Sequence, residues 1–279
     1  MRIFITGGHG QLGGALARVL TDADLYLGWH ETENITQLKI IQTILDFRPN
    51  VVIHAAAMTD VDACELRPDQ AFQVNEQGTK LVAESAQRAG AMMVYVSTDY
   101  VFDGSKATPY LETDLTNPIN VYGRSKLAGE NATREEMDRW LIVRTSWLYG
   151  RGRKNFVSQV LEWAKTQPVL RLVKNKVGSP TYLLDLAQAI RHLIIAGVTN
   201  RIYHASGEGG CSWEEYGREI LKIARIEKEI IPISFEDLRR PAKRPAYSAL
   251  NNSELKKTGF LMRPWRTVLQ DFLEQEILK

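Results

Sequence analysis

The sequence has little cysteine, little excess charge of either sign and no long apolar run. Its two cysteines, Cys64 and Cys211, lie far apart and lack a Cys-x-x-Cys motif or a histidine partner at metal-ligand spacing. Neither a disulfide framework nor a zinc site is therefore expected, and we predict no metal site. No stretch approaches the roughly 18 uninterrupted apolar residues of a membrane-spanning helix, so we expect no span.

The charges are almost balanced, with 35 Lys and Arg against 33 Asp and Glu and a formal net charge of +2. This balance argues against a nucleic-acid-binding surface or a membrane-binding patch. An apolar, strand-like run begins at residue 2 and leaves no room for a secretory signal, so we expect a cytoplasmic protein. The single basic cluster, RRPAKRP (residues 239–245), is either a solvated segment or a source of Arg or Lys for a pyrophosphate.

Short β-branched runs alternate with helical patterns through the first 150 residues. Strands are predicted at 2–6, 24–28, 51–55, 92–97 and 141–146, with helices at 12–20, 36–47, 68–89 and 121–133. This alternation predicts an α/β fold with a doubly wound parallel sheet (Rossmann), in which ligands lie at the carboxyl ends of the strands.

The pattern changes after residue 150, where loops and prolines become more frequent. We predict an NAD(P)-binding Rossmann domain over 1–150, with its sheet completed by parts of 166–205. Residues 151–279 would mainly form a smaller C-terminal α/β domain that binds substrate. Further helices are predicted at 155–165, 181–197 and 212–224, and further strands at 169–173 and 201–206.

A glycine-rich turn, TGGHGQLG, follows the first strand and opens the first helix. Gly8, Gly10 and Gly13 match G-x-G-x-x-G, while Gly7, Gly10 and Gly13 match the more open G-x-x-G-x-x-G. Both patterns provide a tight turn and a helix N-terminus whose free N–H groups hold an anion. In this position they predict a site for a dinucleotide pyrophosphate.

The end of the second strand bears on the choice of nicotinamide cofactor. Gly28, Trp29 and His30 stand where an NAD-binding sheet would carry an acidic residue for the ribose 2′-OH, and Glu31 lies further along the loop. The missing carboxylate removes a repulsion from a 2′-phosphate, yet no Arg is present to bind one. We predict NADPH and leave NADH open.

Three predicted strand ends bring small or polar residues to one edge of the sheet. HAAAMTDVD (54–62) offers small residues, VSTDYVFDG (96–104) offers Thr98, and NVYGRSK places Tyr122 four residues before Lys126 on one helix face. A free tyrosine has a pKa near about 10, which a neighbouring ammonium lowers. The set predicts proton transfer at a carbonyl or alcohol oxygen while a hydride moves on carbon.

The motifs together resemble the extended short-chain dehydrogenase/reductase superfamily, and within it the dTDP-4-dehydrorhamnose reductase family. The likeness runs essentially the full length of the chain. It rests on TGGHGQLG, HAAAMTDVDACE, VNEQGT, STDYVFDG, PYLETDLTNPINVYGRSKLAGE, RTSWLYG, VGSPT and RPAKRPAYSALN. It implies NAD(P)H-dependent reduction of the C4 keto group of dTDP-4-dehydro-6-deoxy-L-mannose to dTDP-L-rhamnose, in a homodimer.

The resemblance also implies residue roles. Tyr122 would be the general acid at the sugar C4 oxygen, Lys126 would hold the nicotinamide ribose and lower the Tyr122 pKa, and Thr98 would bind the same sugar oxygen. Asp99 and Trp147 would contact the sugar nucleotide, although Asp99 could instead cap a turn and Trp147 could belong to the core. The implied cofactor-binding residues are Gly7, Gly10, Gln11, Leu12, Gly13, Asn34, Ile35, Ala55, Ala56, Ala57 and Thr59, with Tyr122 and Lys126.

One departure and two alternative functions accompany this hypothesis. Asn34 is an amide where the resemblance implies an acidic residue, which leaves the nucleotide preference open. Another sugar-nucleotide 4-ketoreductase or epimerase is one alternative. A dehydratase would need an acidic pair in the loop after the fourth predicted strand, where the sequence offers only Asp99, next to Thr98. A non-catalytic NADP-binding regulatory subunit is the other, and the Thr98, Tyr122 and Lys126 set argues against it.

Overall fold

The computed structural model describes residues 1–152 and 154–277, which form a mixed α/β structure. Its strands are β1 (Arg2–Thr6), β2 (Asp24–Leu27), β3 (Val51–His54), β4 (Met92–Thr98), β5 (Trp140–Thr145), β6 (Leu148–Tyr149), β7 (Leu170–Val173), β8 (Val177–Gly178), β9 (Thr181–Tyr182), β10 (Arg201–His204), β11 (Cys211–Ser212) and β12 (Ile230–Ile233). Its α-helices are α1 (Gln11–Val19), α2 (Lys39–Phe47), α3 (Val61–Leu66), α4 (Pro68–Phe72), α5 (Gly78–Arg88), α6 (Val121–Glu136), α7 (Phe156–Thr166), α8 (Leu183–Ile195), α9 (Trp213–Ile223), α10 (Ser253–Lys257) and α11 (Trp265–Phe272).

The central sheet of the described residues has six strands in the order β10-β5-β4-β3-β1-β2, and every pairing in it is parallel. Alternate residues of a strand point to opposite faces, so β1 sends Ile3 and Ile5 to one core and Phe4 to the other. Helices α1 and α8 cover the first face, while α2 and α5 cover the second. The predicted doubly wound parallel sheet is confirmed.

The helix predicted over 68–89 is not continuous. The structure divides it into α4, a π-helical turn at Gln73–Gln77, and α5. The side chain of Asn75, at the centre of this π turn, bonds the backbone of Met58 and the hydroxyl of Ser125. One-turn π segments inside helices are frequent at functional sites. Here the extra residue in the turn accompanies a buried amide that contacts two other elements.

The second half of the chain builds a separate core of its own. Helices α7, α9 and α11 pack with the β7–β12 pair around buried aromatic residues such as Tyr149 and Tyr216. Strand β10 and helix α8, by contrast, belong to the central sheet and its cover. The domain boundary at residue 150 stays a prediction. None of the described helices has the length and apolar character needed to cross a bilayer.

A buried ion pair joins helix α6 to the central sheet. Arg144 on β5 donates from Nε and Nη2 to the two carboxylate oxygens of Glu130, at 2.8 and 2.7 Å. The hydroxyl of Ser97 on β4 donates to the same carboxylate at 2.6 Å. All three residues are buried. This triad holds α6 in register with the ends of two neighbouring strands.

Removal of one partner of this pair should destabilise the fold strongly. In Glu130→Gln the guanidinium of Arg144 stays buried without its counter-ion, and we expect a loss of about 3–5 kcal/mol in the free energy of unfolding. Glu214→Gln, which removes the half-buried i,i+4 partner of the exposed Arg218, should cost less than about 1 kcal/mol. Urea denaturation of both variants measures the difference, and equal midpoints would contradict the expectation.

Candidate active site

A cleft of about 820 Å³ lies over the carboxyl ends of the central strands. It collects fifteen of the sixteen site residues predicted from the sequence. These are Gly7, Gly10, Gln11, Leu12, Asn34, Ile35, Ala55, Ala56, Ala57, Thr59, Thr98, Asp99, Tyr122, Lys126 and Trp147. Gly13 does not line the cleft, because it packs beneath the glycine turn. The roles of all sixteen residues stay predictions.

The glycine turn owes its shape to close backbone contacts. Gly7 has a left-handed φ of +66°, and a Cβ on it would lie 3.0 Å from the backbone of Ala56. A Cβ on Gly13 would lie only 2.4 Å from the carbonyl oxygen of Gly8. Gly10 donates its N–H to the carbonyl of Gly7 at 2.8 Å and precedes the first residue of α1. The turn is therefore compact because Gly7 and Gly13 leave no room for a side chain.

The residues of this turn fit a dinucleotide pyrophosphate. Helix α1 begins at Gln11, and within the described chain it has no side-chain cap and no acidic residue in its first turn. The free N–H groups of such a helix start attract an anion. The buried Oε1 atom of Gln11 also has no hydrogen-bond partner among the described residues. Positive potential thus lies where the sequence predicts the diphosphate, whereas the Gln11 oxygen, an acceptor, is available to a hydroxyl or N–H donor and not to the phosphate oxygens.

The end of the cleft where the sequence predicts the adenosine contains a carboxylate, Glu33, that the sequence analysis missed. Glu33 accepts hydrogen bonds from the hydroxyl of Tyr26 at 3.1 Å, the N–H of Trp29 at 2.8 Å and the hydroxyl of Thr32 at 2.6 Å. It thereby orders the loop after β2. The side chain of Asn34 instead accepts from the N–H and hydroxyl of Thr36, as a local Asx turn. No sequence spacing marks Glu33, since its partner Tyr26 lies on the preceding strand.

The start of helix α6 is fixed by polar contacts from three segments. The Asn120 side chain caps the helix by accepting from the N–H of Gly123 at 2.8 Å, and its amide donates to the carbonyl of Lys243 at 2.9 Å. Glu65 accepts from the N–H of Val121 at 2.9 Å. These bonds place Tyr122, one residue further on, at the cleft.

Burial changes the expected chemistry of Tyr122. The sequence predicts that Lys126 lowers the Tyr122 pKa, but the pKa lies well above its usual value. Loss of solvation is the largest cause, and a hydrogen bond with Thr98 offsets only part of it. The free protein therefore keeps Tyr122 as a neutral phenol. The pKa of Tyr122 is thus raised overall, which the sequence did not predict because helix spacing shows a neighbouring charge and not the loss of water. The effect of Lys126 itself stays a prediction.

The side chain of Lys126 is buried beneath the cleft. Its Nζ donates to the carbonyl of Val96 at 2.8 Å and lies 4.1 Å from the centre of the Tyr95 ring. Desolvation lowers the pKa of Lys126 to about 7, although the nearby Glu130 carboxylate raises it in part. Its charge in the free protein therefore changes near neutral pH.

Thr98 and Asp99 form a small polar network at the end of β4. The Thr98 hydroxyl donates to Asp99 Oδ1 at 3.0 Å and accepts from the N–H of Tyr100 at 3.2 Å. The hydroxyl of Ser248 donates to Asp99 Oδ2 at 2.5 Å. Burial raises the pKa of Asp99 to about 7 in spite of these bonds. The network links the end of β4, beside the cleft, to Ser248, which lies 149 residues away in the sequence.

Trp147 combines features of a ligand contact and of a core residue. It lines the cleft with a left-handed φ of +44°, which is uncommon for a bulky residue. Its ring stacks on Trp213 with centroids 3.6 Å apart, and a Cβ on Gly178 would meet it at 2.4 Å. Its buried Nε1–H has no partner among the described residues. The packing thus leaves one donor for a ligand.

The basic cluster RRPAKRP is held against helix α3. Arg244 and Arg240 approach the carboxylate of Asp62 at 3.0 and 3.7 Å, and the N–H of Ala242 donates to it at 3.2 Å. Lys176 donates to the carbonyl of Arg244 at 3.0 Å. The segment is therefore a positioned loop. Over the described residues, no group of three or more His, Cys, Asp or Glu side chains is placed to hold a metal ion.

The fold and the cleft together define a class of protein. A doubly wound parallel sheet carries a glycine turn for a dinucleotide. Thr98, Tyr122 and Lys126 line the same cleft as that turn. This combination defines an oxidoreductase-type nucleotide-binding protein of the short-chain dehydrogenase/reductase kind.

The chain belongs to the family described as RmlD substrate binding domain, whose model matches residues 1–277. The dTDP-4-dehydrorhamnose reductase of Aggregatibacter actinomycetemcomitans is 38% identical over 287 residues, which cover 97% of each chain. Spore coat polysaccharide biosynthesis protein SpsK of Bacillus subtilis (strain 168) is 37% identical over 277 residues, covering 98% of this chain and 97% of its own. The crystal structure of dTDP-4-dehydrorhamnose reductase from Bacillus anthracis str. Ames in complex with NADP has a TM-score of 0.94 at 38% identity, over 98% of this chain and 99% of that one. The resemblance predicted from the sequence is confirmed.

Two adjacent glycines provide a matched test of the turn. Gly13→Ala forces a Cβ against the carbonyl of Gly8, so the turn must open, and we expect NADPH binding to weaken at least about tenfold, or about 1.4 kcal/mol. At Gly14 a Cβ meets no described atom within 4 Å, so Gly14→Ala should bind NADPH as the wild type does. It should also stabilise the helix by about 0.5–1 kcal/mol. Fluorescence titration with NADPH compares the two, and equal affinities would contradict the expectation.

The pKa of Lys126 predicts how cofactor binding depends on pH. The ammonium loses its proton as the pH rises through about 7, so the binding-competent cation becomes scarcer above that pH. We expect the NADPH dissociation constant to rise by up to about tenfold per pH unit there, in proportion to the protonated fraction. Lys126→Met should bind more weakly at pH 6 and lose this dependence. Titrations from pH 6 to 9 test it, and a parallel slope in both proteins would refute it.

Proposed function

We propose that the chain is an NADPH-dependent oxidoreductase that reduces the C4 keto group of dTDP-4-dehydrorhamnose to give dTDP-L-rhamnose, with NADH as an alternative reductant. One observation carries the proposal: Thr98, Tyr122 and Lys126 line the cleft that contains the dinucleotide turn. Full-length similarity to proteins named dTDP-4-dehydrorhamnose reductase, at 38% and 35% identity, supports it. So does the NADP-bound relative with the same fold.

The reaction needs a hydride donor, and the nicotinamide supplies the hydride when bound. The chain supplies the proton: Tyr122 protonates the C4 oxygen as negative charge develops on it. Thr98 turns its hydroxyl from Asp99 toward the same oxygen and keeps it oriented. Lys126 holds the ribose hydroxyls of the cofactor and stabilises the phenolate that Tyr122 leaves behind. Each group acts from the end of a strand or the first turns of a helix, so the scaffold fixes their spacing.

The substrate side of the cleft involves the second half of the chain. Asp99 is bonded to Ser248, and Trp147 is stacked on Trp213, so both proposed sugar-nucleotide contacts rest on residues beyond 150. This supports a substrate-binding unit made mainly by residues 151–279 beside a cofactor-binding unit over 1–150. We further propose that the protein works in the cytoplasm as a homodimer. Gel filtration with light scattering tests the oligomeric state.

Replacement of the proposed proton donor tests the reaction directly. Tyr122→Phe keeps the ring and removes the hydroxyl, so we expect kcat to fall by about 10²–10⁴ while the NADPH dissociation constant stays within about twofold. Tyr203→Phe, a buried tyrosine on β10 outside the cleft lining, is the matched control. NADPH oxidation is followed with dTDP-4-dehydrorhamnose as substrate.

The outcomes separate the reductase from its alternatives. Product identified as dTDP-L-rhamnose, with turnover lost only in the Tyr122 variant, would support the proposal. Tight NADPH binding without turnover by the wild type would refute it and favour a regulatory subunit. Turnover in the Tyr122 variant equal to that of the Tyr203 variant would remove Tyr122 from the mechanism.

A further inference from the structure

A chain of buried hydrogen bonds lies beneath one wall of the cleft. His54, the last residue of β3, contacts two threonine hydroxyls: Thr6 Oγ1 lies 2.6 Å from Nδ1 and Thr79 Oγ1 lies 3.0 Å from Nε2. The N–H of Ala56 donates to Thr6 Oγ1 at 3.2 Å. The hydroxyl of Thr79 donates to the carbonyl of Asn75 at 2.7 Å. His54, Thr6 and Thr79 are almost completely buried.

The hydrogen bonds of this chain have only one consistent set of donors and acceptors. Thr79 uses its proton on the carbonyl of Asn75, so its oxygen must accept from His54 Nε2–H. The ring nitrogen Nδ1 then carries no proton and accepts from the hydroxyl of Thr6. Thr6 in turn accepts from the N–H of Ala56. A neutral imidazole in the Nε2–H tautomer satisfies every bond, whereas in the cation Nδ1 would carry a proton and the Thr6 hydroxyl would lose the acceptor for its own proton.

Both ends of this chain of hydrogen bonds lead to the same wall of the cleft. At one end Thr6 holds the N–H of Ala56. At the other end the Asn75 side chain accepts from the N–H of Met58 at 2.8 Å and donates to its carbonyl at 3.0 Å. Ala56 and Met58 both line the cleft. The same amide donates to Ser125, which lies on α6 between the two proposed catalytic residues.

We propose that His54, in its neutral Nε2–H tautomer, is a positioning residue that fixes the wall from Ala56 to Met58 for the nicotinamide half of the cofactor. The proposal rests on the proposed function for its cofactor. His54 acts through Thr6 and through Thr79, and it does not touch the cofactor itself. The surroundings of His54 favour the neutral imidazole, because burial and the nearby Lys126 ammonium lower the pKa of His54 to about 3.

Nuclear magnetic resonance tests the tautomer without substrate. The protein has five histidines, so ¹⁵N-histidine labelling with a His54→Leu spectrum assigns the signal. We expect the Nε2–H pattern, unchanged through the pH range of about 5–8 in which an ordinary histidine titrates. An Nδ1–H pattern, or titration in that range, would overturn the proposal.

NADPH titrations test whether this chain of hydrogen bonds positions the wall from Ala56 to Met58. Thr6→Val and Thr79→Val remove the hydroxyls with little change of shape, and we expect each to raise the NADPH dissociation constant about tenfold, or about 1.4 kcal/mol. Ser85→Ala removes another buried hydroxyl from the same helix as Thr79 and should leave binding within about twofold. With saturating NADPH, kcat should fall less than about threefold, so that the effect lies in KM for the cofactor.

A conservative variant separates positioning from general destabilisation. His54→Asn puts an amide oxygen near the place of Nδ1 and keeps the bond from Thr6, so it should lose less NADPH affinity than His54→Leu. Wild-type affinity in Thr6→Val and Thr79→Val would overturn the proposal even where the His54 variants fail to fold. Neither the titrations nor the spectra need the sugar nucleotide, so failure of the proposed reaction would leave these results independent.

Discussion

The structure depends on one constraint: the central sheet is covered on both faces, so most polar groups at its carboxyl edge find partners within the protein. Those without a partner among the described residues, such as Gln11 Oε1 and Trp147 Nε1, lie along the cleft. A buried polar group without a partner costs about 1–3 kcal/mol, and a buried lone charge costs more. Arg144 forms an ion pair with Glu130, and Asp99 accepts a hydrogen bond from Ser248. The floor of the cleft is therefore set by directional bonds as well as by packing, which fixes side-chain positions that apolar contacts alone leave adjustable.

The sequence predicts the central sheet well because each strand and its covering helix carry a local periodic pattern. The π turn at Gln73–Gln77 was not predicted, because the local pattern of its residues is that of an ordinary helix. Asn75 in this turn bonds to Met58 and Ser125, which lie far from it in the sequence. Strand β7 was predicted as a strand, but its pairing with β12, about 60 residues further along, has no local signal. Local pattern thus determines the type of an element, while contacts between distant segments determine its interruptions and partners.

The same division holds at the cleft. The glycine turn and the Tyr122–Lys126 spacing lie within short segments, so they are visible in the sequence. The carboxylate of Glu33 and the hydroxyl of Ser248 reach the site through tertiary contacts. No motif marks Glu33, and Ser248 lies in the motif RPAKRPAYSALN, which supports the resemblance without giving this serine a role. The overall rise of the Tyr122 pKa was not predicted for a related reason. A sequence shows the charged neighbour on the helix, but it does not show how much water the surrounding loops exclude.

The raised pKa of Tyr122 suits a proton donor in the direction of reduction. Hydride transfer to a ketone produces an alkoxide, whose basicity is comparable to that of hydroxide, and water has a pKa of about 15.7. A tyrosine phenol, whose ordinary pKa is near about 10, is a much stronger acid than an alcohol, so in the proposed reaction the proton moves downhill to the C4 oxygen. The same burial would hinder a tyrosine that had to act as a base. In the proposed reaction the Lys126 cation, besides holding the cofactor ribose, therefore acts on the proton transfer chiefly after the proton has moved, when it stabilises the phenolate.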